Sequence, residues 1–298
     1  MASKQNVLPI ASVLTGALVW GLMWYPFRTL HDAGLSGPLA TLITYLLAIL
    51  CGAFMLPRVW RELRQNNKKG AGWWTVGLIL SAGWSNLGYV LAILHGEVMR
   101  VVLLFYLAPL WTVLFSYWLL DERLNLYGYL VIALSFCGAI VMLWKPQLGL
   151  PLPNNIAEWI GLSAGMSFAL SNVVSRRAAH LSVEAKSGSV LLGTALLTIP
   201  LFWWQGGITN QWTAIDAQAW LLLGLLGVVL CATSFAVQFA LAHLSSNRAI
   251  ILFLFELVVA AASSFILADE AMRLPEWLGA ALIISASLSS GKIHKESR

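Results

Sequence analysis

Residues 95–122 read HGEVMRVVLLFYLAPLWTVLFSYWLLDE, and residues 243–270 read HLSSNRAIILFLFELVVAAASSFILADE. Laid one above the other without a gap, they put His95 on His243, Arg100 on Arg248, Leu104-Phe105 on Leu252-Phe253, Ser116 on Ser264 and Asp121-Glu122 on Asp269-Glu270. The same offset of 148 residues carries Arg28 onto Arg176. Charged residues make up only 10% of the chain, so their coincidence is far more specific than leucine matching leucine. The register slips by about three residues after the Asp-Glu pairs. The chain therefore divides into two related halves, 1–148 and 149–298.

Composition says where such halves must reside. The chain has 298 residues, 59% of them hydrophobic, and a mean hydropathy of +0.78. Soluble domains are about 25% charged. A chain with less than half that polar surface is not a soluble enzyme, a nucleic-acid-binding module or a disordered scaffold. Cys51, Cys137 and Cys231 lie far apart within apolar runs and form neither a disulfide framework nor a zinc spacing. Met1–Asn6 is too short, and the run behind it too long, for a cleaved signal peptide. The expected fold is an all-α integral membrane protein.

A helix crossing the hydrocarbon core needs about 20 mostly apolar residues. Ten such runs occur, five per half: 8–27, 38–57, 73–94, 99–120 and 126–144, then 156–175, 187–206, 217–241, 247–268 and 274–290. Lipid forces them to be helices, because an open strand edge would leave backbone groups unpaired. With the N-terminus cytoplasmic, Lys4, Arg58, Arg61, Arg64, Lys68, Lys69, Arg123, Arg176, Arg177, Lys186, Arg248, Lys292, Lys295 and Arg298 fall inside. Only Arg28, Arg100, Lys145 and Arg273 fall outside. That 14-to-4 bias puts both termini in the cytoplasm of a multi-pass plasma-membrane protein, as in a bacterial inner membrane. Trp60, Trp73, Trp74, Trp144, Trp159, Trp203, Trp204, Trp212, Trp220 and Trp277 sit at or near the run ends, at the depth an amphipathic indole prefers.

Five is an odd number, so the second half must enter the bilayer upside down relative to the first. Inverted repeats of this kind are typical of secondary transporters, whose halves exchange shapes around a midplane site.

The motifs add a family resemblance. The first run carries Trp20-Gly21 with Arg28 at its end. The fourth runs from Leu103 through Pro109 to Trp111 and closes on Asp121-Glu122-Arg123-Leu124, and the ninth closes on Asp269-Glu270. Together these resemble the drug/metabolite transporter superfamily, in its ten-helix EamA-like branch. One departure is Glu256-Leu257, which stands where the first half has Ala108-Pro109. The resemblance implies a cavity lined by the first, third, fourth, sixth, eighth and ninth helices, with the fifth and tenth peripheral. It also implies transport of small metabolites, commonly export of amino acids or other organic solutes.

Glu256 is the leading candidate site residue. It lies eight residues, about 12 Å of helix, beyond Arg248. An ionised acid that deep is disfavoured by about 2.5–3.5 kcal/mol. It therefore faces a polar cavity or holds a proton, either as a coupling group or counter-charge, or as a structural tie between helices. Ser163, Ser167, Ser171 and Ser175 recur every four residues on one helix face, with Asn172 beside them. Such a stripe lines a pathway or lets helices approach closely. Ser85, Asn86 and Tyr89 of the third run correspond to Thr233, Ser234 and Val237 of the eighth, and Gln238 follows. Trp20, Trp24, Trp84 and Trp111 are candidate aromatic walls, suited to flat, apolar or cationic solutes, or else bulky packing. Tyr106 joins the binding candidates, although with Pro109 it also shapes its helix.

The substrate-binding set is therefore Trp20, Trp24, Trp84, Ser85, Asn86, Tyr89, Tyr106, Trp111, Ser171, Asn172, Ser234 and Gln238, with Glu256 as proton-coupling group. His95 and His243 are expected to be interfacial caps. No metal-ligand cluster, P-loop or H-E-x-x-H motif is present. Gly161-Leu162-Ser163-Ala164-Gly165 matches G-x-S-x-G but lies within a helix, where no nucleophile elbow forms. The expectation is a proton-coupled exporter of amino acids or related amines, set against an uncoupled facilitator and, outside transport, a membrane enzyme or sensor. Its partners would be a small-molecule solute, protons and the lipid bilayer, with no cofactor, in a monomer.

Overall fold

The computed structural model describes residues 7–68, 72–96, 98–144, 152–204, 216–267 and 273–290. Both termini, the 148/149 boundary, Lys4, Lys69, Lys145, Trp212, Asp269-Glu270, Lys292, Lys295 and Arg298 lie outside them. The first half contains α1 (Val7–Leu22), α2 (Trp24–Asp32), α3 (Gly37–Cys51), α4 (Leu56–Lys68), α5 (Gly72–His95), α6 (Val98–Phe105), α7 (Ala108–Leu120) and α8 (Leu126–Leu143). The second contains α9 (Ile156–Arg177), α10 (Val183–Trp204), α11 (Ala217–His243), α12 (Ser246–Phe253), α13 (Phe255–Leu267) and α14 (Leu274–Ser289).

Helix starts follow local chemistry. Asn125, Asn155 and Asp216 each accept a bond from the backbone amide three residues on, at 2.7, 2.9 and 2.7 Å. At Asn155 the cap is reciprocal, because Glu158 accepts from the Asn154 amide and the Asn155 side chain. α7 ends where Asp121 turns left-handed (φ 53°) and the Glu122 amide reaches back to the Ser116 carbonyl.

Seven helical stretches are long and apolar enough to cross a bilayer, and the bent pair formed by α3 and Ala53–Glu62 makes eight, against ten runs read from the sequence. The two remaining runs fall short for evident reasons. α9 carries Glu158, Arg176 and Arg177 besides its serines, and α14 has 16 residues, about 24 Å of helix. The crossing stretches are apolar outward as well as inward, with Leu46, Leu130, Leu196, Leu225 and Ile266 exposed. A helix apolar all round belongs in lipid. Trp60, Trp73, Trp159, Trp203 and Trp277 are exposed near helix ends, as interfacial indoles are.

Besides that bent pair, three crossing segments are interrupted. Pro26 offers no amide to Leu22, and the chain breaks at Met23, whose amide bonds instead to Trp20, three residues back. Pro109 leaves the Phe105 carbonyl without a helical donor, and the chain turns at Tyr106-Leu107. The third break, at Leu254, sits at the repeat-equivalent of Tyr106 yet has no proline. There the Leu257 amide takes the Leu254 carbonyl, three residues back, leaving that of Phe253. Equivalent breaks at 106 and 254 thus arise from different local causes.

Packing follows the offset. α5 lies against α9 and α10, and its counterpart α11 lies against α1 and α3. α7 meets α9 as α13 meets α1, while α3–α10 and α8–α14 join equivalent helices. Glycines permit the closest approaches. A Cβ on Gly193 would strike the Ile79 carbonyl, and one on Gly165 the carbonyl of Phe105 that Pro109 leaves free.

Candidate functional site

A cavity of about 130 Å³ lies between the two halves. Its wall follows the repeat closely. Six pairs of lining residues are separated by 148 positions: Trp20 and Phe168, Ala82 and Leu230, Ser85 and Thr233, Asn86 and Ser234, Tyr89 and Val237, Phe105 and Phe253. The remaining wall comes from Tyr45, Ser171, Asn172, Val190, Leu191, Gln238 and Glu256. Helices α3 and α10 therefore contribute, which the family resemblance did not imply, whereas α8 and α14 do not reach the cavity.

Of the residues singled out from the sequence, the structure brings together Trp20, Ser85, Asn86, Tyr89, Ser171, Asn172, Ser234, Gln238 and Glu256. It places Trp24, Trp84, Tyr106 and Trp111 off the wall. The Trp24 indole instead donates to Ser263 Oγ on α13 at 2.9 Å. Trp84 Nε1 donates to Ser163 Oγ at 3.0 Å and ties α5 to α9. Trp111 stacks on Phe115 with ring centroids 6.4 Å apart. Tyr106 is buried off the wall, beside Glu256.

Four rings form a connected aromatic wall. Tyr89 lies 4.9 Å from Phe105, Phe105 5.6 Å from Phe168, and Phe168 5.5 Å from Phe253, centroid to centroid. They come from α5, α6, α9 and α12, so the wall closes only when both halves pack. Glu256 lies in the first turn of α13, where the helix dipole favours negative charge. Tyr89 and Tyr106 are the titratable neighbours that interact with it.

Polar contacts fix the other walls. Asn86 accepts from the Tyr45 hydroxyl (3.1 Å) and donates to Thr194 Oγ1 (3.2 Å), linking α3, α5 and α10. Gln238 accepts from Ser175, joining α11 to α9. Asn172 is different: it is 5% exposed, yet its Nδ2 has no protein partner. Among the described residues, no cluster of His, Cys, Asp and Glu suits a metal ion.

A charged cluster ties helix ends together at one end of the bundle. Glu122 accepts from Arg176 Nε (3.3 Å), the Ser246 amide (3.4 Å) and Asn247 Nδ2 (3.3 Å), while Arg176 also donates to the Ala242 carbonyl. Glu122 thereby joins the end of α7 to the end of α9 and the start of α12. The repeat-equivalent of Arg176, Arg28, is exposed, while its expected partner Glu270 lies outside the described residues.

These features define a multi-pass helical membrane protein built from two copies of one unit around a shared cavity. The profile of the EamA-like transporter family matches residues 7–144 and again 155–290, and the chain belongs to that family. Among curated relatives it is 30% identical over 197 residues to the uncharacterized transporter PA0485 of Pseudomonas aeruginosa, covering 64% of this chain and 60% of that protein. It is 21% identical over 282 residues to the uncharacterized transporter YoaV of Bacillus subtilis, covering 91% and 92%. A solved crystal structure at 18% identity superposes with a TM-score of 0.67 over 98% of this chain and 97% of the other, a likeness of fold.

Proposed function

We propose that this protein is a secondary active transporter that exports a small organic solute, an amino acid or related amine, in exchange for protons. The carrying observation is the cavity itself. It lies between two copies of one unit, six offset pairs form most of its wall, and among the described residues Glu256 is the only carboxyl on it, with no Lys, Arg or His. In this reading the chain crosses ten times, five in each oppositely oriented copy; the run count and packing contacts that repeat under the 148-residue offset support it. Breaks at equivalent depths in the two copies suit a midplane site.

Coupling follows from competition. A carboxylate that binds a cationic amine cannot simultaneously hold a proton. Exchanging one for the other leaves the charge on the moving site unchanged, so a proton gradient drives amine in the opposite direction. In this reading Glu122, Arg176 and Asn247 close the cytoplasmic side of a bacterial inner-membrane protein, and the opposite side opens by rocking of one copy against the other.

The test is flux in proteoliposomes under an imposed pH gradient, with a panel of labelled amines and amino acids. Gradient-driven accumulation supports the proposal. Flux indifferent to the gradient would make the protein a facilitator, and no flux across the panel would remove the transport reading.

A further inference from the structure

Resting on that reading of the cavity, we infer that its ligand is a monocationic amine bearing a neutral hydrogen-bond acceptor, such as an amino alcohol, and not a zwitterionic amino acid. Charge decides the first part. Among the described residues Glu256 is the only carboxyl on the wall, able to carry one negative charge, and no Lys, Arg or His lines it. A bound carboxylate would therefore be desolvated without a counter-ion, which is strongly unfavourable.

Two half-helices begin at this depth, and neither has a free start for such a group. The first turn of α13 already holds the Glu256 carboxyl, and Ala108 and Pro109 at the start of α7 are buried off the wall. The linked rings of Tyr89, Phe105, Phe168 and Phe253 border the space, and aromatic rings attract a cation that lies against their faces.

The neutral acceptor is read from Asn172. A buried amide donor without a partner loses hydrogen-bond energy that native structures rarely forgo, and the side chain that carries it belongs to the cavity wall. The Asn side-chain amide torsion is broad, so turning the covered nitrogen toward the cavity lets a ligand hydroxyl, ether or amide oxygen satisfy it. Size limits the ligand further. An engineered cavity of about 150 Å³ holds one benzene, so a space of about 130 Å³ suits a compact solute.

Four probes sharing one branched carbon skeleton test this on the purified full-length protein at neutral pH, by calorimetric titration: leucinol, isoamylamine, leucine and 4-methylpentanoate. Leucinol should bind tightest and isoamylamine, lacking the acceptor, about fivefold more weakly. Leucine should bind at least a hundredfold more weakly than leucinol, and the anion should show no binding. Asn172→Leu should bring the leucinol-to-isoamylamine ratio close to one while isoamylamine binding persists, an outcome general misfolding would not give.

Leucine binding within tenfold of leucinol, a ratio unmoved by Asn172→Leu, or no binding of either amine at millimolar concentration would each overturn the inference. Selective amine binding without flux in liposomes would leave it standing and remove the transport reading. Strong flux of leucine with weak amine binding would do the reverse.

Discussion

Replacing Glu122 with Gln should open the end of the bundle that this side chain holds shut. The carboxylate takes three donors: Oε1 accepts from Arg176 Nε and the Ser246 amide, and Oε2 from Asn247 Nδ2. Gln keeps one acceptor oxygen, so two contacts survive without their charge assistance, while its amide faces Asn247 Nδ2, donor against donor. At separations of 3.3–3.4 Å these are long bonds. A loss of about 0.5 kcal/mol for each weakened contact and about 1 kcal/mol for the broken one is appropriate. The total, about 2 kcal/mol, corresponds to a roughly thirtyfold shift in the ratio of closed to open protein.

The assay is alkylation of a cysteine placed at Ser171, on the cavity wall, in a background lacking the native cysteines, by a membrane-impermeant maleimide applied from the cytoplasmic side. Glu122→Gln should raise that rate at least tenfold. An unchanged rate in a variant that remains monodisperse and melts normally would refute the role assigned to the cluster.

Three further substitutions separate cavity from scaffold. Trp84→Phe removes the donor to Ser163 from a side chain that is off the wall; it should cost about 1 kcal/mol of stability and leave the KM for transport unchanged. Gly165→Ala drives a methyl into the Phe105 carbonyl, and the overpacking should destabilise by about 1–3 kcal/mol, read as a melting point several degrees lower. Asn86→Ala leaves the Tyr45 hydroxyl and Thr194 without their shared partner and should cost about 2 kcal/mol, again read by thermal unfolding.

The duplication was legible in the sequence because charged residues are so scarce that His95, Arg100 and Glu122 mark the register unaided. That register also held more than the candidate list drew from it. Moving Trp20 by 148 residues lands on Phe168, and moving Phe105 lands on Phe253, both on the cavity wall. Asn172 and Glu256 stood out as polar groups in apolar helices.

Tyr45, Val190 and Leu191 gave no such signal. An apolar or aromatic residue on an apolar helix faces lipid, core or cavity with the same letter, and only packing decides which. The break at Pro109 could be read from its missing amide, but the equivalent break at Leu254 has no proline to announce it. The indoles of Trp24 and Trp84 looked available as walls because their partners, Ser263 and Ser163, lie 239 and 79 residues away.

Glu256→Gln in proteoliposomes, with labelled leucinol supplied outside and a pH gradient imposed, is the decisive experiment. Gln keeps the shape of the side chain but can neither carry charge nor release a proton. The account predicts that leucinol accumulation driven by a pH gradient disappears, with apparent affinity falling by more than an order of magnitude. Gradient-driven accumulation equal to that of the wild-type protein would contradict it.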